Sequence, residues 1–226
     1  RWAHPVYGNI APDEFITVAE SSRSIVKLGQ YTLRRACNEA LRWMKTHGAT
    51  IQLNVNVSPM EIMSEGFIDS LRAILDETGF PAKLLELEIT ERGMFEDMDV
   101  SRARLDTIRE HGVGISLDDF GTGYSSLSRL ETLPIDRIKV DRSFLTQAVE
   151  SRRAQKLLAL LSGIGGIMDV DIVAEGIETE DQLRLVRLAG FSKAQGYLFG
   201  RPAPISELGA ANWKPMESEP ELRQSA

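Results

Sequence analysis

The sequence predicts an α/β fold in which parallel strands alternate with outer helices toward a (β/α)8 barrel, and three observations predict it. Short runs rich in Ile, Val and Leu recur along the 226 residues. Longer segments with helical spacing separate them. Within the runs, polar residues gather on one face instead of being absent.

The runs are Ile51–Val57, Leu84–Thr90, Val113–Asp118, Ile135–Val140, Val170–Glu175 and Lys193–Phe199. Each sits beside Gly, Pro, Asn or Asp punctuation, as strands do. Ahead of the first, Ile25, Leu28, Leu33, Ala36 and Leu41 form one helical stripe. Phe67, Leu71, Ile74 and Leu75 form a second, and Leu157, Leu158, Leu160 and Leu161 belong to a third. Glu178 to Leu188 carries a fourth, with Thr179 before Glu180 and Asp181 as its start. Strand, helix, strand in repetition means parallel strands joined by crossovers.

Six strands also suit an open doubly wound sheet, whereas a barrel wants eight at about 250 residues. The faces decide. Strands covered by helices on both sides read almost wholly apolar. Here Asn54 and Asn56 share one face, as do Glu86 and Glu88, Ser116 and Asp118, and Arg137 and Lys139, while Val173 to Glu175 and Lys193 to Gln195 continue the pattern. Val55, Leu87, Leu117, Ile138, Ala174 and Leu198 take the other face. The apolar faces then pack on outer helices, and the polar faces point to a shared interior whose C-terminal mouth is where barrels place active sites. An antiparallel sheet with one wet face would alternate too, but the intervening helices argue against it. On the barrel reading, the first two of eight strands lie before Arg1. One domain is expected over residues 1–213, followed by a polar, disordered tail over 214–226.

A net charge of −7 argues against broad contact with DNA or a membrane surface. No apolar run is long enough to span a bilayer, so no membrane insertion is expected in this segment. Cys37 is the single cysteine, so no internal disulfide forms and a reducing compartment fits. It reads as a small buried hydrophobe on a helix, with no partner that would make it a nucleophile. His4, His47 and His111 are scattered and fit no ligand spacing.

The strand ends carry the chemistry. They bring Asn56, Glu88, Asp118, Asp119, Lys139, Glu175, Glu178 and Gln195 to one mouth. Carboxylates converging there repel one another without a counter-charge, so bound cations are implied. Oxygen donors without His or Cys select hard cations such as Mg2+, Mn2+ or Ca2+ over zinc. Asp118 and Asp119 point to opposite faces of a regular strand. Both reach one site only if the chain turns, and Gly121 and Gly123 are expected to supply that turn. A carboxylate shared by two cations, with a second beside it, suits in-line attack on a phosphodiester. Lys139 either orients the attacking water or forms a structural ion pair with an acid; charge alone leaves both open.

Six strings occur in order: Asn56-Val57-Ser58, Glu88-Ile89-Thr90-Glu91, Asp118-Asp119-Phe120-Gly121-Thr122-Gly123-Tyr124-Ser125-Ser126-Leu127, Ile138-Lys139-Val140-Asp141, Ala174-Glu175-Gly176-Ile177-Glu178-Thr179 and Gln195-Gly196-Tyr197-Leu198-Phe199. Together, from Arg1 to about Pro204, they resemble the EAL-domain family of cyclic-di-GMP phosphodiesterases. The resemblance implies a TIM-like barrel with an antiparallel first strand, and hydrolysis of cyclic di-GMP to linear 5′-pGpG with two cations, Mg2+ or Mn2+. It places Asn56, Glu88 and Asp118 around a first metal and Asp118, Asp119 and Glu175 around a second. It sets Lys139 at the attacking water, Arg1 at a substrate phosphate, Gln195 and Glu178 near the site, and Glu91 in support of the loop after Asp119. It further implies a bacterial signalling role, a homodimer, fusion to or regulation by sensory or cyclase domains, and a cytoplasmic location, including that of the cytoplasmic part of a larger membrane-attached protein. The family's signature Glu lies outside this sequence, and Arg23 stands where the family usually has Gly. A metal-poor receptor of the same nucleotide and a Mg2+ barrel enzyme with Lys139 as base are the competing readings.

Overall fold

The computed structural model describes residues 2–91, 98–122 and 130–208. Its main sheet has six strands: β3 (Leu53–Asn56), β4 (Leu85–Thr90), β5 (Gly114–Phe120), β6 (Arg137–Val140), β7 (Asp171–Ala174) and β8 (Lys193–Ala194). Every neighbouring pair is parallel and the spatial order follows the chain order. A doubly wound sheet reverses its strand order at a switch point. This one never does, so right-handed crossovers leave every intervening helix on one face and curl the sheet into a half-barrel. The expected α/β barrel architecture is what the chain adopts.

The helices are α1 (Pro12–Ser21), α2 (Ile25–His47), α3 (Pro59–Met63), α4 (Phe67–Thr78), α5 (Met98–Glu110), α6 (Arg142–Glu150), α7 (Arg152–Met168) and α8 (Glu180–Leu188). Local chemistry starts and stops them. Thr179 caps α8 through a reciprocal box with Gln182. Asp141 caps α6 and Ser151 caps α7. Helix α2 ends at Gly48 in the left-handed region. Its stripe of Leu33, Cys37 and Ala40 is buried in the core with Leu87, Leu117, Ile138 and Ala174 from the outward strand faces, and Trp43 of the same stripe is buried too. Cys37 is fully buried, and burial pushes its thiol up to about 11. The Trp43 indole donates to the Leu208 carbonyl over 2.7 Å, which ties the segment after β8 to the helix before β3.

A hairpin of β1 (Trp2–His4) and β2 (Gly8–Ile10) forms a separate antiparallel pair. Its three-residue strands are too short to carry a period, so the sequence does not announce it. His4 Nδ1 accepts from the Val6 and Tyr7 amides and shapes the turn. His47 and His111 bond carbonyls one turn back in their helices, so none of the histidines approaches a ligand set. Arg23, between α1 and α2, has φ of 56°. That left-handed value explains why glycine suits the position. The tail expected over 214–226 lies outside the described residues.

Candidate metal centre at the barrel mouth

The site sits where β4 to β8 end. Strand register sets it up: Asn56 pairs with Glu88, Thr90 with Asp118, and Lys139 with Val173. Beyond the strands, the Glu175 amide donates to Val140 and the Ile177 amide to Gln195, so the ladder continues to the rim.

Asp118 and Asp119 reach the same side through a bulge. The β5–β6 register shifts between Leu117 and Phe120, and Asp119 itself has φ of 55°. The turn expected from Gly121 and Gly123 therefore begins two residues earlier, on an aspartate, a residue type that tolerates that conformation. Gly121 contributes differently. A Cβ there would stand 2.3 Å from the Phe144 ring, and its φ is 94°. Its amide donates to Glu91 Oε2 over 2.9 Å, and Glu91 is 1% exposed. Gly123 lies outside the described residues.

Carboxylate oxygens of Asp118, Asp119 and Glu175 all lie within 4.8 Å of one another. Lys139, 4% exposed, is the counter-charge. Its Nζ stands 2.7 Å from Glu175, 3.0 Å from Glu88 and 3.2 Å from Asp118. Burial alone would lower the lysine pKa, but Glu88, Glu175 and Asp118 outweigh it and hold the ammonium protonated. Burial lifts Glu175 to about 7 against the pull of Lys139, with the Asp118 charge adding to the rise. Gln195 Nε2 donates to Glu175 Oε1 over 2.5 Å and fixes its orientation. Asn54 Nδ2 reaches Glu88 Oε1 over 3.1 Å.

The structure thus gathers Asp118, Asp119, Lys139, Glu175, Glu88 and Gln195. Asn56 is exposed at the end of β3, in register with Glu88. Glu178 is exposed and lines the neighbouring cavity with Glu175. Arg1 lies outside the described residues. The cavity, of about 800 Å³, opens beside Asp119 and Glu175 and is walled by Arg142, Tyr197, Phe199 and Arg201. The guanidinium of Arg201 lies 5.0 Å over the Tyr197 ring. Sequence reasoning gave none of these four a role, although Tyr197 and Phe199 stand in the last motif string and Arg142 opens a helix directly after a strand. It also grouped Glu86 and Arg137 with the mouth face without separating them. They form a deeper layer, in which Arg137 Nη1 clasps both oxygens of Glu86 at 2.7 and 2.6 Å and Nη2 reaches Asp171.

The family model for the EAL domain matches residues 1–202. This chain belongs to the EAL domain family. Among its relatives, the bifunctional diguanylate cyclase/cyclic di-GMP phosphodiesterase MucR of Pseudomonas aeruginosa is 37% identical over 212 residues, 93% of this chain and 31% of that protein. The cyclic di-GMP phosphodiesterase NbdA of the same organism is 39% identical over 209 residues, 92% of this chain and 27% of the relative. A Sinorhizobium fredii protein described as uncharacterized is 42% identical over 93% of the chain. The EAL domain spans only 25–33% of the curated relatives it matches first. Among solved structures, the PaMucR phosphodiesterase in its c-di-GMP complex superposes with a TM-score of 0.85 at 37% identity, covering 90% of this chain and 83% of that one. The EAL domain of Mycobacterium smegmatis DcpA gives 0.76 at 37% identity over 81% and 82%. EAL structural neighbours have the TIM-barrel fold, the architecture expected above. No helix among the described residues is long and apolar enough to cross a membrane.

Proposed function

We propose that this EAL domain is a cation-dependent phosphodiesterase that cleaves one phosphodiester of cyclic di-GMP to give linear 5′-pGpG in bacterial second-messenger signalling. The observation that carries the reading is the acidity of the mouth: Glu88, Asp118 and Glu175 share the ammonium of Lys139, and a carboxylate oxygen of the exposed Asp119 lies within 4.8 Å of Asp118 and Glu175. Such an excess of buried and half-buried acid needs cations. Its all-oxygen donors fit Mg2+ or Mn2+. Two ions held by Asp118, Asp119 and Glu175, with Asn56 and Glu88 completing the first position, would neutralise the acids, polarise the phosphate and ease deprotonation of water.

The side chains of this chain do the rest. Lys139 holds Glu88, Asp118 and Glu175 in fixed relation and keeps a positive charge where phosphate charge develops. Gln195 orients Glu175. Glu91 pins the backbone just after the bulge, so the position of Asp119 depends on it. The cavity volume lies in the range of small-molecule sites, roughly 300–1,000 Å³, and its open side leaves room for the part of a dinucleotide that does not react. Arg1, adjoining Trp2, would touch a substrate phosphate. Partner sensory or cyclase domains accord with relatives named as an oxygen sensor, DosP of Escherichia coli, 35% identical over 208 residues, and as a bifunctional cyclase and phosphodiesterase, MucR.

The test is hydrolysis of cyclic di-GMP with Mn2+ by the chain beside Asp118→Asn. Mn2+-dependent pGpG, lost in the variant, supports the enzyme and the site together. Tight binding without turnover points to a receptor instead. Neither binding nor turnover sinks both.

A further inference from the structure

Asn56 ends β3 with its side chain unsupported: among the described residues no hydrogen bond holds it. Its neighbour on the same strand face, Asn54, reaches both Glu86 and Glu88. The direction of the Asn56 carboxamide is therefore set by the backbone that leaves β3. Val57 continues the ladder, its amide donating to the Glu88 carbonyl over 2.9 Å. Ser58 follows in the extended region, as the residue before a proline prefers, and caps α3.

Two carboxylates from different helices grip Ser58 at its two ends. The Ser58 amide donates to Glu61 Oε2 over 2.9 Å, half of a capping box, and Glu61 in turn is wedged against Gly29 of α2. The Ser58 hydroxyl donates to Glu20 Oε1 over 2.6 Å, a short bond to an acid 38 residues away on α1. Capping does not require that second bond. As a cap the hydroxyl need only accept, and it does so from the Met60 amide. The bond to Glu20 uses the remaining proton and fixes the rotamer. Nor is Glu20 held there by the packing of its own helix, since of the α1 residues only Ala19 is buried.

We propose that Glu20 is a positioning residue for the cation site: by holding the Ser58 hydroxyl it fixes the exit of β3, and with it the carboxamide of Asn56. The inference rests on Asn56 belonging to the first cation position, as proposed above. Glu20 acts at a distance, through Ser58 and two peptide units. Outer partners of metal ligands matter by about 10–100-fold in affinity, and an indirect one belongs at the lower end.

The experiment is a double-mutant cycle on the 226-residue chain. It is read as Mn2+ affinity by electron paramagnetic resonance without nucleotide, beside turnover of cyclic di-GMP and the melting temperature of the metal-free chain. Asn56→Ala should weaken Mn2+ binding, and Glu20→Ala should weaken it by about tenfold. In the Asn56→Ala background, Glu20→Ala should cost about twofold at most, because the group it positions is gone. Glu20→Gln keeps an acceptor oxygen without the charge and should stay within about threefold of the unmodified chain. Where Glu20→Ala does not fold, the smaller loss in Glu20→Gln is compared across the same two backgrounds. A bond that merely ties α1 to α3 would lower the melting temperature and act equally in both backgrounds. Equal effects in the two backgrounds, or unchanged Mn2+ affinity in Glu20→Ala, would overturn the proposal. Unchanged affinity in Asn56→Ala would overturn it together with the placing of Asn56, and an unmodified chain that binds no Mn2+ would overturn the cation reading itself.

Discussion

Two ionic layers fill the interior of this half-barrel, and they are built to opposite rules. In the deeper one, Glu86 and Asp171 face Arg137 and Lys193: two carboxylates against two cations. In the upper one, among the described residues, three carboxylates, Glu88, Asp118 and Glu175, share Lys139. The deep layer is further satisfied by amides, with Gln52 and Asn54 donating to Glu86. Burial lifts Glu86 above the ordinary carboxylate value although Arg137 opposes it, whereas Lys193 and Arg137 outweigh burial and hold Asp171 below. A balanced buried network specifies structure; an unbalanced one is a site awaiting charge.

The contrast breaks most sharply under substitution. On the proposed reaction, Asp118→Asn should lower turnover of cyclic di-GMP by ~10³-fold, removing one of the carboxylates that would hold the cations. It should not lower the melting temperature, because it relieves repulsion with Glu175. Stabilisation by Mn2+, about 2.7 kcal/mol at a hundred times Kd, should vanish in the same variant. If Asp118→Asn unfolded the chain instead, the upper layer would be structural after all.

Arg137→Met is the converse. It leaves Glu86, 2% exposed, buried without its cation, and should cost about 3–5 kcal/mol in urea unfolding. The surviving folded fraction should keep its Mn2+ response. Loss of the response at low denaturant would couple the layers and erase the distinction.

A third buried acid belongs to neither layer and sharpens the point. Glu61 is 5% exposed, accepts from the Ser58 amide over 2.9 Å, and lies so close to Gly29 that a Cβ there would fall 1.5 Å from its Oε1. Burial pushes it up to about 7, with Glu20 adding to the rise. A carboxyl raised on folding binds its proton better in the folded state. Its stabilising share is thus complete below about 4.3 and is lost as pH climbs through 7. Glu61→Gln should remove that slope and stabilise the chain above pH 7 by about 3 kcal/mol at most, as melting curves against pH would show. An unchanged slope would assign the pH dependence elsewhere.

The smallest expected effect lies farthest from both layers. Arg23→Gly should stabilise by about 1 kcal/mol through relief of the left-handed backbone, offset in part by the greater freedom of glycine when unfolded. Chemical denaturation with unaltered turnover would check it.

Much of this was legible beforehand because it is local. Alternation along each strand announced an interior polar face, and carboxylates at strand ends announced the cluster of Asp118, Asp119 and Glu175. Arg23 stood out against the family pattern, although its backbone angle did not show. The short hairpin carried no period to read. The alternatives left open for Lys139 were matters of distance, and spacing in sequence says nothing about which carboxylates lie within 3 Å.

The sequence by itself determined the parallel order of the sheet, which faces are wet, and the family, since side-chain alternation and motif strings are properties of the chain. Only the tertiary structure decided that Asp119 turns in through a bulge on its own backbone, that Glu86 is claimed by Arg137 and Glu88 by Lys139, and that Glu91 reaches Gly121. Those pairings join residues 30 to 51 positions apart. Strand register sets them, and register is fixed by the packing of the whole sheet against its helices.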